Sequence, residues 1–142
     1  MRPAAPFPEG EPVLFSLRRE DQSPAVRIAR YFAGAGFALV ATEGTGRVLR
    51  AAGLEARHVN KVVEGRPHVV DLIRNGEFSL IVNTTSGRRS LRDSYTIRRE
   101  ALLHKVTYYT TLSAARAAAE AHRHAGGVSV NKLQELHRRL TA

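Results

Sequence analysis

Cysteine is absent from this sequence. That excludes a disulfide framework, thiolate zinc sites and cysteine nucleophiles, and it suits a cytosolic protein. Tryptophan is absent as well, and aromatics reach only 6%, so stacking platforms for nucleic acid are sparse. No apolar run approaches the ~20 residues that a membrane-spanning helix needs. The start, Met1-Arg2-Pro3-Ala4-Ala5-Pro6, lacks the apolar stretch of a secretory signal. Acids are scarce: 13 against 22 Lys and Arg, for a net charge of +9. Aspartate occurs only at Asp21, Asp71 and Asp93, which leaves little material for acid–base chemistry. No Lys/Arg run exceeds two residues, so the basic excess reads as an arginine-rich solvated surface with a local anion site. The expectation is a cytoplasmic protein with neither nucleic acid nor membrane as partner.

What is present fits one domain: 142 residues and 43% hydrophobic content are enough for a genuine core. Residues 1–11, with three prolines, read as a flexible tail or linker. Residues 12–142 read as the folded unit. Short apolar runs at 13–17, 37–41, 56–59, 78–82 and 106–109 predict strands. Between them lie predicted helices. Ser23-Pro24 starts one with Ala25, Ile28, Ala29 and Phe32 on a single stripe, ended by Gly34 and Gly36. Residues 46–52 form a second, stopped by Gly53, and Pro67 opens a third that Asn75-Gly76 ends. Residues 90–104 and 111–124 are helical, and Ser129 caps a last helix over 129–140. Strands alternating with helices imply a parallel sheet covered on both faces, a three-layer α/β/α domain.

Two strand ends share a design. The run at 37–41 opens into Thr42-Glu43-Gly44-Thr45-Gly46, and the run at 78–82 opens into Asn83-Thr84-Thr85-Ser86-Gly87-Arg88-Arg89. Hydroxyls and free backbone N–H groups at a helix N-terminus suit a phosphate. The first segment reads equally well as an ordinary βα turn with Thr45 as N-cap, and the second as a polar loop. Neither has the spacing of a dinucleotide fingerprint or a P-loop. Lys61, just beyond a predicted strand end, is a candidate point charge for phosphate, or a solvated lysine. The searches for catalysis and metals return nothing firm. No nucleophile elbow occurs. His122 and His124 face different sides of a helix, and His58, His68, His104 and His137 lack partners at ligand spacing. No catalytic residue, metal site or cofactor is assigned.

Several longer motifs stand in order: Phe37 through Thr45; Val59-Asn60-Lys61-Val62-Val63-Glu64-Gly65-Arg66-Pro67-His68; Asn83 through Arg89; Ile97-Arg98-Arg99; and Tyr108 through Thr111. With these the chain resembles the methylglyoxal-synthase-like domain, specifically the C-terminal allosteric domain of the carbamoyl phosphate synthetase large subunit, from about Val13 to Leu140. The resemblance implies a flavodoxin-like, methylglyoxal-synthase-like parallel sheet of five strands. It implies a site for nucleotide monophosphates, with UMP as inhibitor and IMP as activator. The family's contacts fall here on Ser16, Thr42, Thr45, Lys61, Asn83, Thr84 and Thr85. Part of an ornithine site falls on Tyr108 and Thr110, the remainder belonging to the synthetase domains. Implied partners are those synthetase domains and the glutaminase small subunit, with self-association as a further option. The parent enzyme makes carbamoyl phosphate from bicarbonate, glutamine and ATP for pyrimidine and arginine synthesis.

Two departures bear on function. Gln22 stands where the family often has a lysine that helps hold the phosphate, which removes a charge-assisted contact worth ~1.5–3 kcal/mol. Either phosphate affinity falls, Arg18 or Arg19 substitutes, or effector preference differs. The alternative activity on this fold, methylglyoxal synthase acting on dihydroxyacetone phosphate, needs a carboxylate base. Its expected Ser-Gly-Pro-x-Gly-Gly-Asp and Trp-Asp-Pro motifs are missing, and Asp71 is the one surviving candidate base. A regulatory binding module is therefore expected.

Overall fold

The computed structural model describes residues 11–124. The expected tail, apart from Glu11, and the expected helix over 129–140 lie outside the described residues. Five strands form one sheet: β1 (Val13–Ser16), β2 (Leu39–Ala41), β3 (Arg57–His58), β4 (Leu80–Asn83) and β5 (Thr107–Tyr109). All pairings are parallel, in the order β3-β2-β1-β4-β5. Strand β1 is central and wholly buried. Its hydrophobic run needs no alternation because both faces are covered.

The helices are α1 (Arg19–Gln22), α2 (Val26–Gly34), α3 (Glu43–Ala51), α4 (Val69–Arg74), α5 (Gly87–Leu103) and α6 (Leu112–His124), with a 3₁₀ turn at Val62–Glu64. Side chains pointing to alternate faces of the strands build two cores. On one face Val13, Phe15, Leu39, Ala41, Leu80 and Val82 meet α2, α3 and α6. On the other, Leu14, Val40 and Ile81 meet α4 and α5 through Val69, Ile73, Ile97 and Ala101. The layers follow from right-handed crossovers. Connections running β1→β2→β3 move one way and place their helices on one face. Those running β3→β4→β5 move the other way and use the opposite face. The direction reverses at the β1/β4 boundary. Helix α6 returns to the first face, where Tyr31 and His122 hydrogen-bond.

Several expected boundaries shift, three of them at the candidate site or next to it. Ser23-Pro24 does not start a helix; Ser23 holds the C-cap position of the extra turn α1, and the N-cap position of α2 is Ala25. Helix α3 starts at Glu43, so Thr42 holds the N-cap position in place of Thr45. Asn83 belongs to β4, and Arg88-Arg89 to α5, which shortens the loop between them to residues 84–86. In the last two cases pairing with β1 or the start of a helix carries regular structure past the apolar run that signals it.

Helix endings were easier to read. Gly36, Gly53 and Gly76 have φ of 99°, 87° and 71°. Each follows a helix whose last carbonyls accept from the residues beyond. Phe37 N–H donates to Phe32 O at 3.0 Å, Leu54 N–H to Leu49 O at 3.1 Å and Glu77 N–H to Leu72 O at 3.0 Å. This is the Schellman arrangement, which requires a left-handed residue. Helix α5 ends the same way, Val106 N–H donating to Ala101 O at 2.8 Å, but its left-handed residue is Lys105, at φ 57°.

Candidate functional site at the carboxyl end of the sheet

The carboxyl ends of β1, β2 and β4 bring the sequence-picked hydroxyls together. Ser16 ends β1 in register with Asn83 of β4. The Thr42 hydroxyl, at the start of α3, donates to Ser16 Oγ at 3.3 Å. Thr84 N–H donates to Ser16 O at 3.1 Å and Thr42 N–H to Phe15 O at 3.3 Å, so the β4 side stays bonded to β1 through Ser16 and the β2 side through Phe15. Ser16, Thr42, Thr45, Asn83 and Thr84 are all buried.

Several of these groups hold the chain itself. Leu17 N–H donates to Thr45 Oγ1 at 3.0 Å, and that hydroxyl donates back to Leu17 O at 3.5 Å. Arg18 N–H donates to Thr84 Oγ1 at 3.0 Å. The connection leaving β1 is thus pinned from α3 on one side and from β4 on the other. The Asn83 amide donates to Ser94 Oγ at 3.0 Å and Tyr108 Oη at 2.9 Å, tying β4, α5 and β5 together. Tyr108 donates to Ser94 O at 3.5 Å, and burial raises its phenol above its ordinary pKa. Thr85 is half-buried and Thr110 exposed. Among the described residues neither side-chain hydroxyl has a partner.

Two helices begin at this end without a side-chain cap: α3 after Thr42 and α5 after Ser86. Their first-turn N–H groups and the positive ends of their dipoles face the side of the sheet where Ser16 ends. Because β2 and β4 flank β1, the strand ends that lead into these helices stand two strand spacings apart, about 10 Å, with α3 on one face of the sheet and α5 on the other. That arrangement attracts an anion.

Cations are available but unevenly. Arg18 is committed, its Nε 2.7 Å from Asp21 and 3.5 Å from Glu20. Gln22 approaches the same corner. Its Nε2 donates to Leu17 O at 3.2 Å and lies 3.0 Å from where a Cβ on Gly44 would stand. A side chain at 44 would press on that amide and make it shift by a few tenths of an ångström. Lys61 follows β3 and is exposed; its backbone N–H donates to Glu64 Oε1 at 2.6 Å. Among the described residues its ammonium forms no ion pair. Parallel pairing of Asn60 with His68 closes the base of the excursion that Lys61 begins.

The candidate base is otherwise occupied. Asp71 sits in the first turn of α4, accepting from His68 N–H at 2.9 Å and lying 2.8 Å from Arg66 Nη2. The hydrogen bond from Arg66, then that from the His68 backbone, hold its carboxyl below the ordinary range. Glu43 at the start of α3 is paired with Arg47 at 2.7 Å. Among the described residues no group of three or more His, Asp or Glu side chains is placed to hold a metal.

Sequence reasoning missed the α1 turn and the part played by the Leu17-Arg18 backbone. The polar run from Arg19 to Gln22 was the available signal for the turn. Ser94 had no local signal of structural importance, since its partners Asn83 and Tyr108 are distant in sequence.

Known proteins match this sequence and this fold. The sequence profile of the MGS-like domain family covers residues 24–110. The chain is 50% identical over 136 residues to the carbamoyl phosphate synthase large chain of Pseudomonas putida, a match spanning 96% of this chain and 13% of that protein. The corresponding Vibrio cholerae large chain is 47% identical over 136 residues, again 96% and 13%. The chain thus spans about an eighth of the length of these curated relatives. Among solved structures, a methylglyoxal synthase from Elizabethkingia anophelis NUHP1 superimposes with a TM-score of 0.65 at 15% identity, covering 80% of this chain and 79% of that one. At that identity the likeness speaks for the fold alone. With the profile running from just before α2 through β5, across every strand but the first, the chain belongs to the MGS-like domain family.

Proposed function

We propose that this chain is the effector-binding regulatory domain of a carbamoyl phosphate synthase large subunit, and that it binds a nucleotide monophosphate at the carboxyl end of β1, β2 and β4. The observation that carries this reading is the pair of uncapped helix starts flanking the buried Ser16–Thr42 hydroxyl pair. The carboxylates nearby are engaged in ion pairs. Such a strand end attracts phosphate, and among the described residues these carboxylates are not free to act as a base on it. In this reading Ser16, Thr42 and Thr85 contact phosphate or ribose, and Lys61 supplies charge. Thr45, Thr84 and Asn83 hold the loop and strand that carry the contacts. UMP acts as inhibitor and IMP as activator. Tyr108 and Thr110 contribute to an ornithine response completed by the synthetase domains, and the glutaminase subunit supplies ammonia. The parent enzyme works in the cytoplasm, forming carbamoyl phosphate for pyrimidine and arginine synthesis. A nucleotide that prefers one arrangement of the assembly shifts its equilibrium, typically by ~1–3 kcal/mol.

Calorimetry of the 142-residue chain with UMP, IMP and ornithine tests this. A nucleotide should bind, ornithine weakly or not at all, and Lys61→Ala should weaken nucleotide binding about tenfold or more, the loss of one charge-assisted contact. No heat from either nucleotide, or unchanged affinity in Lys61→Ala, refutes the site. Methylglyoxal release from dihydroxyacetone phosphate should be undetectable; turnover abolished by Asp71→Asn would make the chain an enzyme instead.

A further inference from the structure

Four of the five large hydrophobics exposed among the described residues sit on one helix, α5: Leu91, Tyr95, Leu102 and Leu103, each 60–70% exposed. Scattered exposed apolar residues need no explanation, but a grouped set marks a contact surface. At 100° per residue, Leu91, Tyr95, Arg98 and Leu102 fall within one stripe, with Arg92 and Arg99 beside it. The stripe lies roughly a third of a turn round the helix from Ile97 and Ala101, which are buried against the sheet. The charges on the outward half, Arg92, Arg98 and Arg99, all have one sign. The helix's acids lie on the inward half: Asp93 is half-buried and Glu100 is buried and paired with Arg74 at 2.7 Å.

We propose that the outward face of α5 docks onto an acid-rimmed apolar surface of the remaining carbamoyl phosphate synthase large chain. The inference rests on the domain assignment proposed above. Two observations select this occupant. The relatives are about eight times longer than this chain, so a domain of this kind has a large neighbour to meet. A second copy is disfavoured, because it would set three arginines against three more on proteins that each carry +9. The face is also well placed for regulation. Helix α5 starts at the hydroxyl-lined end of the sheet, and its inward Ser94 accepts from Asn83. One rigid element therefore carries both the docking stripe and a support of the candidate effector site.

The lack of cysteine makes the test direct. Tyr95→Cys, Leu102→Cys and, as control, Arg27→Cys on the exposed side of α2 are made singly. Each is made in the isolated chain and in a Pseudomonas putida large chain whose matching segment is replaced by this sequence. Alkylation rates at each introduced thiol are read by peptide mass spectrometry. Docking slows alkylation at positions 95 and 102 at least tenfold in the chimera and leaves the rate at position 27 unchanged. Adding Arg98→Glu and Arg99→Glu restores the fast rate. Equal rates in both settings overturn the proposal. So does concentration-dependent protection in the isolated chain, which would make a second copy the occupant. If the chimera is not recovered folded, the intact chain is titrated against the large chain truncated before the matching segment, with sedimentation as readout; absence of a complex overturns the proposal. Nucleotide binding with an open α5 face refutes this inference alone, and a protected face without nucleotide binding refutes only the effector reading.

Discussion

Thr45 shows how a residue can be found in sequence while its partners stay hidden. Its place after an apolar run is visible; its acceptance of the Leu17 N–H, 28 residues away, is not, because that contact exists only once β1 and β2 are paired. The same holds for Thr84 and Arg18. Thr45→Val keeps the shape and removes the acceptor, leaving a buried N–H unpaired at a cost of about 1–3 kcal/mol. Urea unfolding should show this loss, with Thr45→Ser much closer to wild type; equal losses would mean the hydroxyl holds nothing. Charge is the other concern at this scale. Arg66 and the His68 backbone hold Asp71 below the ordinary carboxylate range, and Arg74 does the same for Glu100. A folded value below the unfolded one gives stability that is complete above the unfolded pKa, about 4, and drains as pH falls through the folded value. The wild type should lose stability on acidification from about pH 5 toward 2. Asp71→Asn and Glu100→Gln should be less stable at neutral pH and show a flatter acid limb; parallel curves would deny these pairs a role.

Among elements, the helix endings were the most legible feature. Glycine after an apolar stripe marks the ends of α2, α3 and α4, because a left-handed residue is needed there and glycine adopts it freely. The end of α5 gives no such mark, since Lys105 takes the position against its own preference. A left-handed non-glycine residue costs ~1–2 kcal/mol, partly offset by glycine's extra freedom in the unfolded chain. Lys105→Gly should therefore stabilise the protein by about 0.5–1 kcal/mol in chemical denaturation, and a destabilised variant would show that Lys105 has contacts worth more than the strain. The attachment of α2 to the sheet depends on Phe32, fully buried and edge-on to Phe37 with ring centroids 5.6 Å apart. Phe32→Ala should cost about 3–5 kcal/mol, much of the margin of a small domain. Strand starts were less legible: Phe37 and Phe78 share the apolar signal of the strands they precede, yet the residue register with β1 begins at Leu39 and Leu80, one residue after the first hydrogen bonds at Ala38 and Ser79.

For the molecule as a whole, alternation of strands and helices was enough to give a parallel three-layer fold, because few other architectures cover both faces of such apolar strands. Strand order was not readable, since it depends on which way each crossover turns. That order sets β1 between β2 and β4 and puts the hydroxyls of three separated segments at one end of the sheet. A ligand that binds only this assembled end must raise global stability. At a hundredfold excess of nucleotide over its Kd, unfolding should become harder by about 2.7 kcal/mol. An unmoved thermal midpoint at such concentrations would place any binding away from the folded sheet.

The central position of β1 also has a consequence for synthesis. The first of these five strands to leave the ribosome is the one that must end up in the middle. One of its edges can pair once Leu39–Ala41 emerges, but the other stays open until Leu80–Asn83 has been made. Chains grow at about 5–20 residues per second, so a flat apolar ribbon, VLFS, waits for seconds with a bare edge. The nascent chain, rather than the finished domain, is where this sequence is most exposed to mispairing and most dependent on a chaperone's shelter.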